Sequence, residues 1–263
     1  MKLSVLISCM HQKDTTIIQR SNVRTDAVVV NQCDENKIQN IDMTHPDGNT
    51  HKVVFINTTE RGLSRSRNMA ILNSDSDVCL IMDDDEILED NYESIILDAH
   101  EQYKNADIIV FKFKNRNKKY SDKPHKVGFI GALRVSSIEI TFKRKAIIEN
   151  NINFNVKMGS GTGHGCGEEN AFLFACLHKK LTMRNIPVII ADLHLGESSW
   201  FKGFNDQYFI SKGAAFTAMK TKMVHLLILQ FAIRKYKIFK DQYSVIKAIR
   251  LMENGRKMYL DKF

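Results

Sequence analysis

The chain has no CxxC pair, and its five cysteines, Cys9, Cys33, Cys79, Cys166 and Cys176, are odd in number. Neither a disulfide framework nor a zinc ribbon is supported, and a reducing cytoplasm is the expected compartment. It shows no export signal: MKLSVLISCM opens on an apolar run of strand length, without the longer apolar core and small-residue cleavage site of a signal peptide. It has no apolar run long enough to span a bilayer, since residues 223–233 (MVHLLILQFAI) stop at 11 against the ~20 required. Internal repeats and low-complexity tracts are also missing. What is present is a chain of 263 residues, 43% hydrophobic, enough to bury a full core in one α/β domain with an appendage. The net charge of +8 is uneven: residues 202–263 hold 13 Lys/Arg against 4 Asp/Glu, leaving 25 against 26 for residues 1–201. That asymmetry suggests a separate task for the C-terminal part, with an anionic partner or a solvated helical face as the alternatives.

Residues 3–9 (LSVLISC) and 26–33 (DAVVVNQC) are short β-rich runs separated by a polar stretch free of proline, which predicts strand, helix, strand. Residues 52–57 and 78–82 (VCLIM) add strands, and Gly62-Leu63-Ser64 turns into a helix from near Arg65 between them. A helix over 93–104, strands at 108–113, 138–144 and 187–193, a basic loop over 114–127, a helix over 169–181 and helices beyond Gly203 complete the pattern. This alternation predicts an α/β fold with a mostly parallel central sheet covered on both faces. Residues 159–168 (GSGTGHGCGE) hold five of the 13 glycines and predict a mobile loop beside function. The expected organisation is a nucleotide-binding domain over 1–200 and a basic helical extension over 201–263.

Three features carry chemistry. Asp83-Asp84-Asp85-Glu86 directly follows the strand VCLIM, and ligands of open α/β sheets bind just beyond the carboxyl ends of strands. Adjacent carboxylates repel, so a cation is expected there, Mg²⁺ or Mn²⁺ held by one or two of them and by substrate phosphates; an acidic loop capping the next helix is the plainer alternative. Gly62–Asn68 (GLSRSRN) places Arg65 and Arg67 in a first helical turn, where the helix dipole disfavours cations. A nearby phosphate accounts for Arg67, and simple solvent exposure for Arg65. Gly167-Glu168-Glu169-Asn170 closes the glycine loop, and a loop that delivers a carboxylate suits a general base, although glutamates at a helix start also serve as dipole-complementing caps.

Taken together, these features resemble the family 2 glycosyltransferases with the GT-A fold, over roughly residues 1–200. Ser4–His11 matches the family's opening strand, which would put Ser8 and Cys9 in the nucleotide pocket. Asn31-Gln32 stands where the family's second strand ends in two aspartates that touch the base, and the amide of Gln32 is able to pair with uracil. Gly62–Asn68 looks like the family's G-x-S-x-A-R-N segment with Ser66 for alanine, and Asp83–Asp85 like its DxD motif. The resemblance implies that Asp83 sits near ribose and metal, Asp84 lies in the donor site, Asp85 ligates the metal and Arg67 helps hold the donor. Glu169 matches the aspartate of the family's base motif, with Glu168 as its competitor, and His194 falls where some relatives place a histidine reaching metal or diphosphate. Trp200, the only tryptophan, offers an acceptor sugar a stacking platform, with ordinary packing as the alternative.

The implied activity is inverting transfer of a sugar from a nucleotide diphosphate sugar, UDP-sugar first, to a hydroxyl of a saccharide or lipid-linked acceptor in cell-surface polysaccharide or glycolipid synthesis, with Mn²⁺ or Mg²⁺ as cofactor. A sugar nucleotidyltransferase is the competing enzyme, but Cys9-Met10-His11-Gln12-Lys13 lacks the glycine-rich loop expected of it. A non-enzymatic basic binding protein leaves the acidic cluster unexplained, and no nucleic-acid partner is expected. The apolar segment 223–233, followed by Arg234, Lys235, Lys237 and Lys240, has the pattern of a helix lying in an anionic interface. That predicts a peripheral position on the inner face of the cytoplasmic membrane; packing on the catalytic domain, or on a second copy as a homodimer, is the alternative.

Overall fold

In the computed structural model, which describes residues 1–45, 48–114, 118, 120–193 and 203–261, the first half of the chain forms β1 (Leu3–Met10), α1 (Thr16–Arg20), β2 (Asp26–Gln32), β3 (Lys37–Thr44), β4 (Thr50–Thr58), α2 (Leu63–Asn73), β5 (Val78–Met82), β6 (Glu86–Leu88), α3 (Tyr92–Gln102) and β7 (Ile108–Lys114). The second half adds β8 (His125–Lys126), α4 (Phe129–Ala132), β9 (Ile140–Lys143), α5 (Arg144–Glu149), α6 (Glu168–His178), β10 (Met183–Leu193), α7 (Asp206–Ala218), α8 (Val224–Phe239) and α9 (Val245–Asp261). Among the described residues ten strands form one sheet in the order β3-β4-β2-β1-β5-β9-β7-β10-β6, with β8 beside β10. The block β4-β2-β1-β5 is parallel throughout, as is the β7–β10 pair, and β9 runs antiparallel between β5 and β7. The expected α/β class with a parallel centre is therefore what the chain adopts, and the strands of that centre all end toward the same edge.

Side chains alternate across a strand, so each central strand feeds two cores. Leu6, Val28, Val30, Cys79 and Ile81 enter one, and Val5, Ile7, Val29, Leu80 and Met82 the other. This is why the runs are continuously apolar rather than alternating. Ile17 and Ile18 of α1 with Tyr92, Ile96 and Ala99 of α3 close the second core. The first is closed by Ala70 and Ile71 of α2 and Phe172 and Leu173 of α6, and also by Phe209, Phe216, Phe231 and Met252 of the C-terminal helices. α7 and α9 cross with backbones almost touching: a Cβ added at Gly213 would lie 1.8 Å from Met252 O, and one at Gly255 1.9 Å from Ile210 O.

Besides the short elements β6, β8, α4 and α5, which the sequence pattern does not show, three elements differ from expectation. β3 is an edge strand antiparallel to β4 whose side chains are exposed or half-exposed throughout, so it carries no apolar alternation to read. β10 begins at Met183 rather than 187, because the polar Arg184 and Asn185 still pair with β7 before a bulged stretch. β9 starts only at Ile140, since Ser137–Glu139 forms a 3-10 turn in which Glu139 accepts from the Ser136 N–H at 3.1 Å.

Candidate active site

The first turns of α2 point polar side chains into the protein, and each meets a different segment. Ser66 Oγ donates to Ser8 Oγ of β1 at 2.8 Å. Ser64 Oγ donates to Met158 O at 2.8 Å, and Asn68 exchanges two hydrogen bonds with the Phe154 backbone, both 2.8 Å. Arg67, only 1% exposed, lies at the centre. Its Nη2 donates to Asp83 Oδ1 at 2.9 Å and Oδ2 at 3.2 Å, and its Nη1 to Glu168 Oε1 at 2.9 Å. The guanidinium also stands over the Phe154 ring at 5.5 Å, and that ring stacks on Phe172 at 4.2 Å. Burial opposes the charge, but the carboxylates of Asp83 and Glu168 outweigh it, and the pKa rises above the ordinary arginine value. One side chain thus joins the acidic cluster after β5 to the glutamates after the glycine loop, residues 16 and 101 positions away from it.

Asp83 is half-buried, Asp84 and Asp85 form the exposed turn beyond it, and Glu86 starts β6 fully inside. Partial burial, then the charge of Asp83, raises the Asp84 carboxyl; burial, then Asp83 and Asp84, raises that of Asp85. Among the described residues both oxygens of Glu86 are buried without a hydrogen-bond partner, and burial followed by Asp83 and Asp85 holds its carboxyl well above the usual range. Four carboxyl groups at a strand end, with Asp84, Asp85 and the buried Glu86 all raised in part by the charge of Asp83, make a field that a divalent cation relieves, so the donor set fits Mg²⁺ or Mn²⁺. Among the described residues no three His, Cys, Asp or Glu side chains form a metal cage. His194 and Trp200 lie outside the described residues.

At the neighbouring strand ends, Asn31 Nδ2 donates to Gln12 O at 2.9 Å and to Asn57 Oδ1 at 2.8 Å, while its Oδ1 accepts from Gln12 N at 2.9 Å. Gln12 Nε2 in turn donates to Asp84 Oδ2 at 3.3 Å. Gln32 Oε1 accepts from Gly62 N at 2.7 Å, so this amide holds the turn into α2. Cys9 is buried, its Sγ 3.7 Å from Val30 O, and burial, then Asp84, pushes the thiol up to about 12. Ser8, Cys9, Gln32, Arg67, Asp83 and Asp84 therefore converge on one edge of the sheet, each held by a contact within the protein.

The glycine loop is pinned on both sides. Leu63 N donates to Ser160 O at 3.0 Å from α2, and Gln207 Nε2 of α7 donates to Gly163 O at 2.8 Å. Gly167, at φ 87°, is required: a Cβ there would sit 2.6 Å from Ala215 Cβ of α7. Of the glycines that predicted mobility, Gly167 thus serves close approach to α7, and Gly161 close approach to the Gly62 backbone. Beyond Gly167, α6 begins with Glu168 and Glu169. Glu168 is buried and engaged by Arg67. Glu169 makes no ion pair among the described residues, and burial, then the neighbouring Glu168 charge, raises its carboxyl to about 8. Lys212 of α7 faces this pair: burial opposes its charge, but Cys166, Tyr208, Glu169 and Glu168 outweigh that and raise its pKa. Lys212, and Tyr259 of α9, whose hydroxyl accepts from Asn155 Nδ2 at 2.6 Å, were not legible as site residues. A lone lysine or tyrosine in a helix carries no signal until the fold brings it to the loop.

The geometry agrees with the comparisons. Structures of S. aureus TarS residues 1–349 superpose with a TM-score of 0.63 in complex with UDP-GlcNAc, at 13% identity over 99% of this chain and 89% of that one. The UDP complex gives 0.60, at 14% identity over 99% and 88%. The mannosyltransferase PcManGT from Pyrobaculum calidifontis, in complex with GDP-Man and Mn²⁺, gives 0.55 at 13% identity over 98% of this chain and 80% of that one. These share the fold. No curated protein matches the sequence. The model of glycosyl transferase family 2 matches residues 16–167, more than half of the chain, spanning β2, α2, the acidic cluster and the glycine loop. With α2 joining the acidic strand end inside that match to the glutamate pair just beyond its end, the chain belongs to glycosyl transferase family 2.

Proposed function

We propose that this protein transfers a sugar from a nucleoside diphosphate sugar, a UDP-sugar first among them, to a hydroxyl of a saccharide or lipid-linked acceptor with inversion at the anomeric carbon, in the building of a cell-surface polysaccharide or glycolipid. The observation that carries this reading is the double ion pair of Arg67, which brings Asp83 and Glu168 to the two ends of one guanidinium. A donor diphosphate near Asp83 and an acceptor near the start of α6 are then neighbours. Asp83 and Asp85 would hold Mn²⁺ or Mg²⁺, which when bound supplies positive charge to the leaving diphosphate. Asp84, tied to Gln12 and through it to Asn31, borders the donor between metal and base.

Glu168 is committed to Arg67, so Glu169 is the proton acceptor; its raised carboxyl, from burial and Glu168, matches a base that works near neutrality. In the step, Glu169 removes the acceptor hydroxyl proton, the acceptor oxygen bonds to the anomeric carbon, and the bond to the diphosphate oxygen breaks, its electron pair leaving with the nucleoside diphosphate. No covalent enzyme intermediate is needed. Thermal-shift titration of UDP-, GDP- and TDP-sugars with and without Mn²⁺ tests the reading, because a ligand of the folded state raises apparent stability by mass action. Stabilisation by one nucleotide class, dependent on the metal, is the expected result; no response to any donor overturns it.

A further inference from the structure

We propose that the outer face of α8 is a docking surface for an anionic lipid bilayer. α8 is apolar on two sides. Ile228, Phe231, Ala232 and Phe239 turn into the core, yet Leu226, Leu229 and Ile233 remain 50%, 45% and 60% exposed, at the spacing of a single helical stripe. Lys222, Lys237 and Lys240 are exposed on that same side, with Arg234 at its flank. From Gln207 to Lys240 the chain contains no Asp or Glu. Lys235, which the sequence places in the same basic cluster, is half-buried on the opposite side and takes no part.

Charge decides between occupants. A second copy docked through this stripe would bring the lysines of both copies together with Asp241 as the one nearby acidic residue in the sequence, whereas an anionic headgroup layer offsets them while acyl chains receive Leu226, Leu229 and Ile233. No described helix is long and apolar enough to cross a membrane, so α8 lies in the interface. The position also suits an acceptor carried by lipid. Phe239 of α8 packs on Phe204 at 5.6 Å and Phe231 on Tyr208 at 6.4 Å, and the adjoining Gln207 holds the glycine loop at Gly163. That loop therefore lies one helix behind the docking face. This last link rests on the glycosyl-transfer reading; the surface itself does not.

Flotation of the full chain with vesicles of phosphatidylcholine alone, or of phosphatidylcholine and phosphatidylglycerol in equal parts, tests it without reference to activity. Flotation with the mixed vesicles alone is expected, weakened as NaCl rises from about 0.1 to about 0.5 M. Lys237→Glu with Lys240→Glu, and separately Leu229→Gln with Ile233→Gln, should each lower partitioning at least about tenfold while Tm and donor-induced stabilisation stay unchanged. Absence of flotation, equal flotation with neutral vesicles, or a salt-insensitive dimer that Leu229→Gln with Ile233→Gln dissociates overturns the proposal. Loss of donor binding in the unmodified chain would instead count against the activity.

Discussion

A guanidinium stays charged even at 1% exposure, so its burial is tolerated only where carboxylates offset the lost water, and Arg67 meets two. Removing one partner of a buried ion pair costs about 3–5 kcal/mol because the remaining charge is left uncompensated. Arg67→Met should therefore lower unfolding free energy by about that much in urea denaturation. Arg67→Lys should recover only part, since an ammonium lacks the fork that reaches Asp83 and Glu168 together. Glu168→Gln should resemble a stability variant, whereas Glu169→Gln should keep donor affinity and lower turnover by at least about 10²-fold. The pH profile separates them further. Burial and Glu168 raise the Glu169 carboxyl to about 8, and the base acts deprotonated, so kcat/KM should fall as pH drops through that region, well above ordinary carboxylate titration. A rising limb near pH 4–5, as for an unperturbed carboxylate, would remove Glu169 from the role. Asp85→Ala should abolish the stabilisation that Mn²⁺ gives to donor binding yet leave the metal-free fold slightly more stable, because it removes a carboxylate that Asp83 and Asp84 repel and that itself raises the buried Glu86. Undiminished turnover in saturating Mn²⁺ would sink the assignment. At this scale the sequence was informative about Asp83, Asp85, Arg67 and the glutamate pair, whose chemistry is unusual for their local positions. It placed Glu86 in the acidic cluster without showing its burial, and it was silent about Lys212, because a contact from a distant helix leaves no mark on neighbouring residues.

Elements were legible where burial imposes a pattern. β1, β2, β4, β5 and β7 are apolar because both faces of the sheet are covered, and their carboxyl ends then had to carry the site. β3 was not, since an exposed edge strand needs no apolar face. The glycine loop was found but its physical reason was not: glycines look alike whether they permit motion or close approach. Gly167 is occupied by the neighbourhood of Ala215, and Gly255 by that of Ile210 O. Gly255→Ala should push α9 off α7, costing about 1–3 kcal/mol or more for overpacking, and should also weaken turnover, because α7 carries Lys212 and backs the loop. A Gly255→Ala protein with unchanged Tm and kcat would show that the crossing tolerates separation.

At the scale of the molecule, charge and hydrophobicity gave different outlines. Composition suggested an appendage beyond residue 200, because 13 of the 38 basic residues fall after it. The apolar contacts cross that line: Phe209, Phe216, Met219, Phe231, Phe239 and Met252 belong to the same buried cluster as Leu6, Val28 and Ile81 of the sheet and Phe172 of α6. Each buried aromatic or aliphatic side chain contributes roughly 1.5–3 kcal/mol, against a total stability of about 5–15 kcal/mol for a domain. Removing α7, α8 and α9 therefore takes away more than a domain has to lose, and it uncovers Gly167 and both glutamates at the start of α6. A chain ending at Gly203 is expected to be insoluble, or to bind the dye ANS without a cooperative melting transition, and to show no stabilisation by donor sugars. Placing Leu229→Gln and Ile233→Gln in the full chain removes exposed apolar surface alone and should leave melting unchanged. The two results together separate the inner face of the C-terminal helices, which completes the fold and the site, from the outer face, which is free to meet a membrane. A soluble chain of residues 1–203 that melts cooperatively and binds donor with unaltered affinity would restore the two-part organisation that composition suggests.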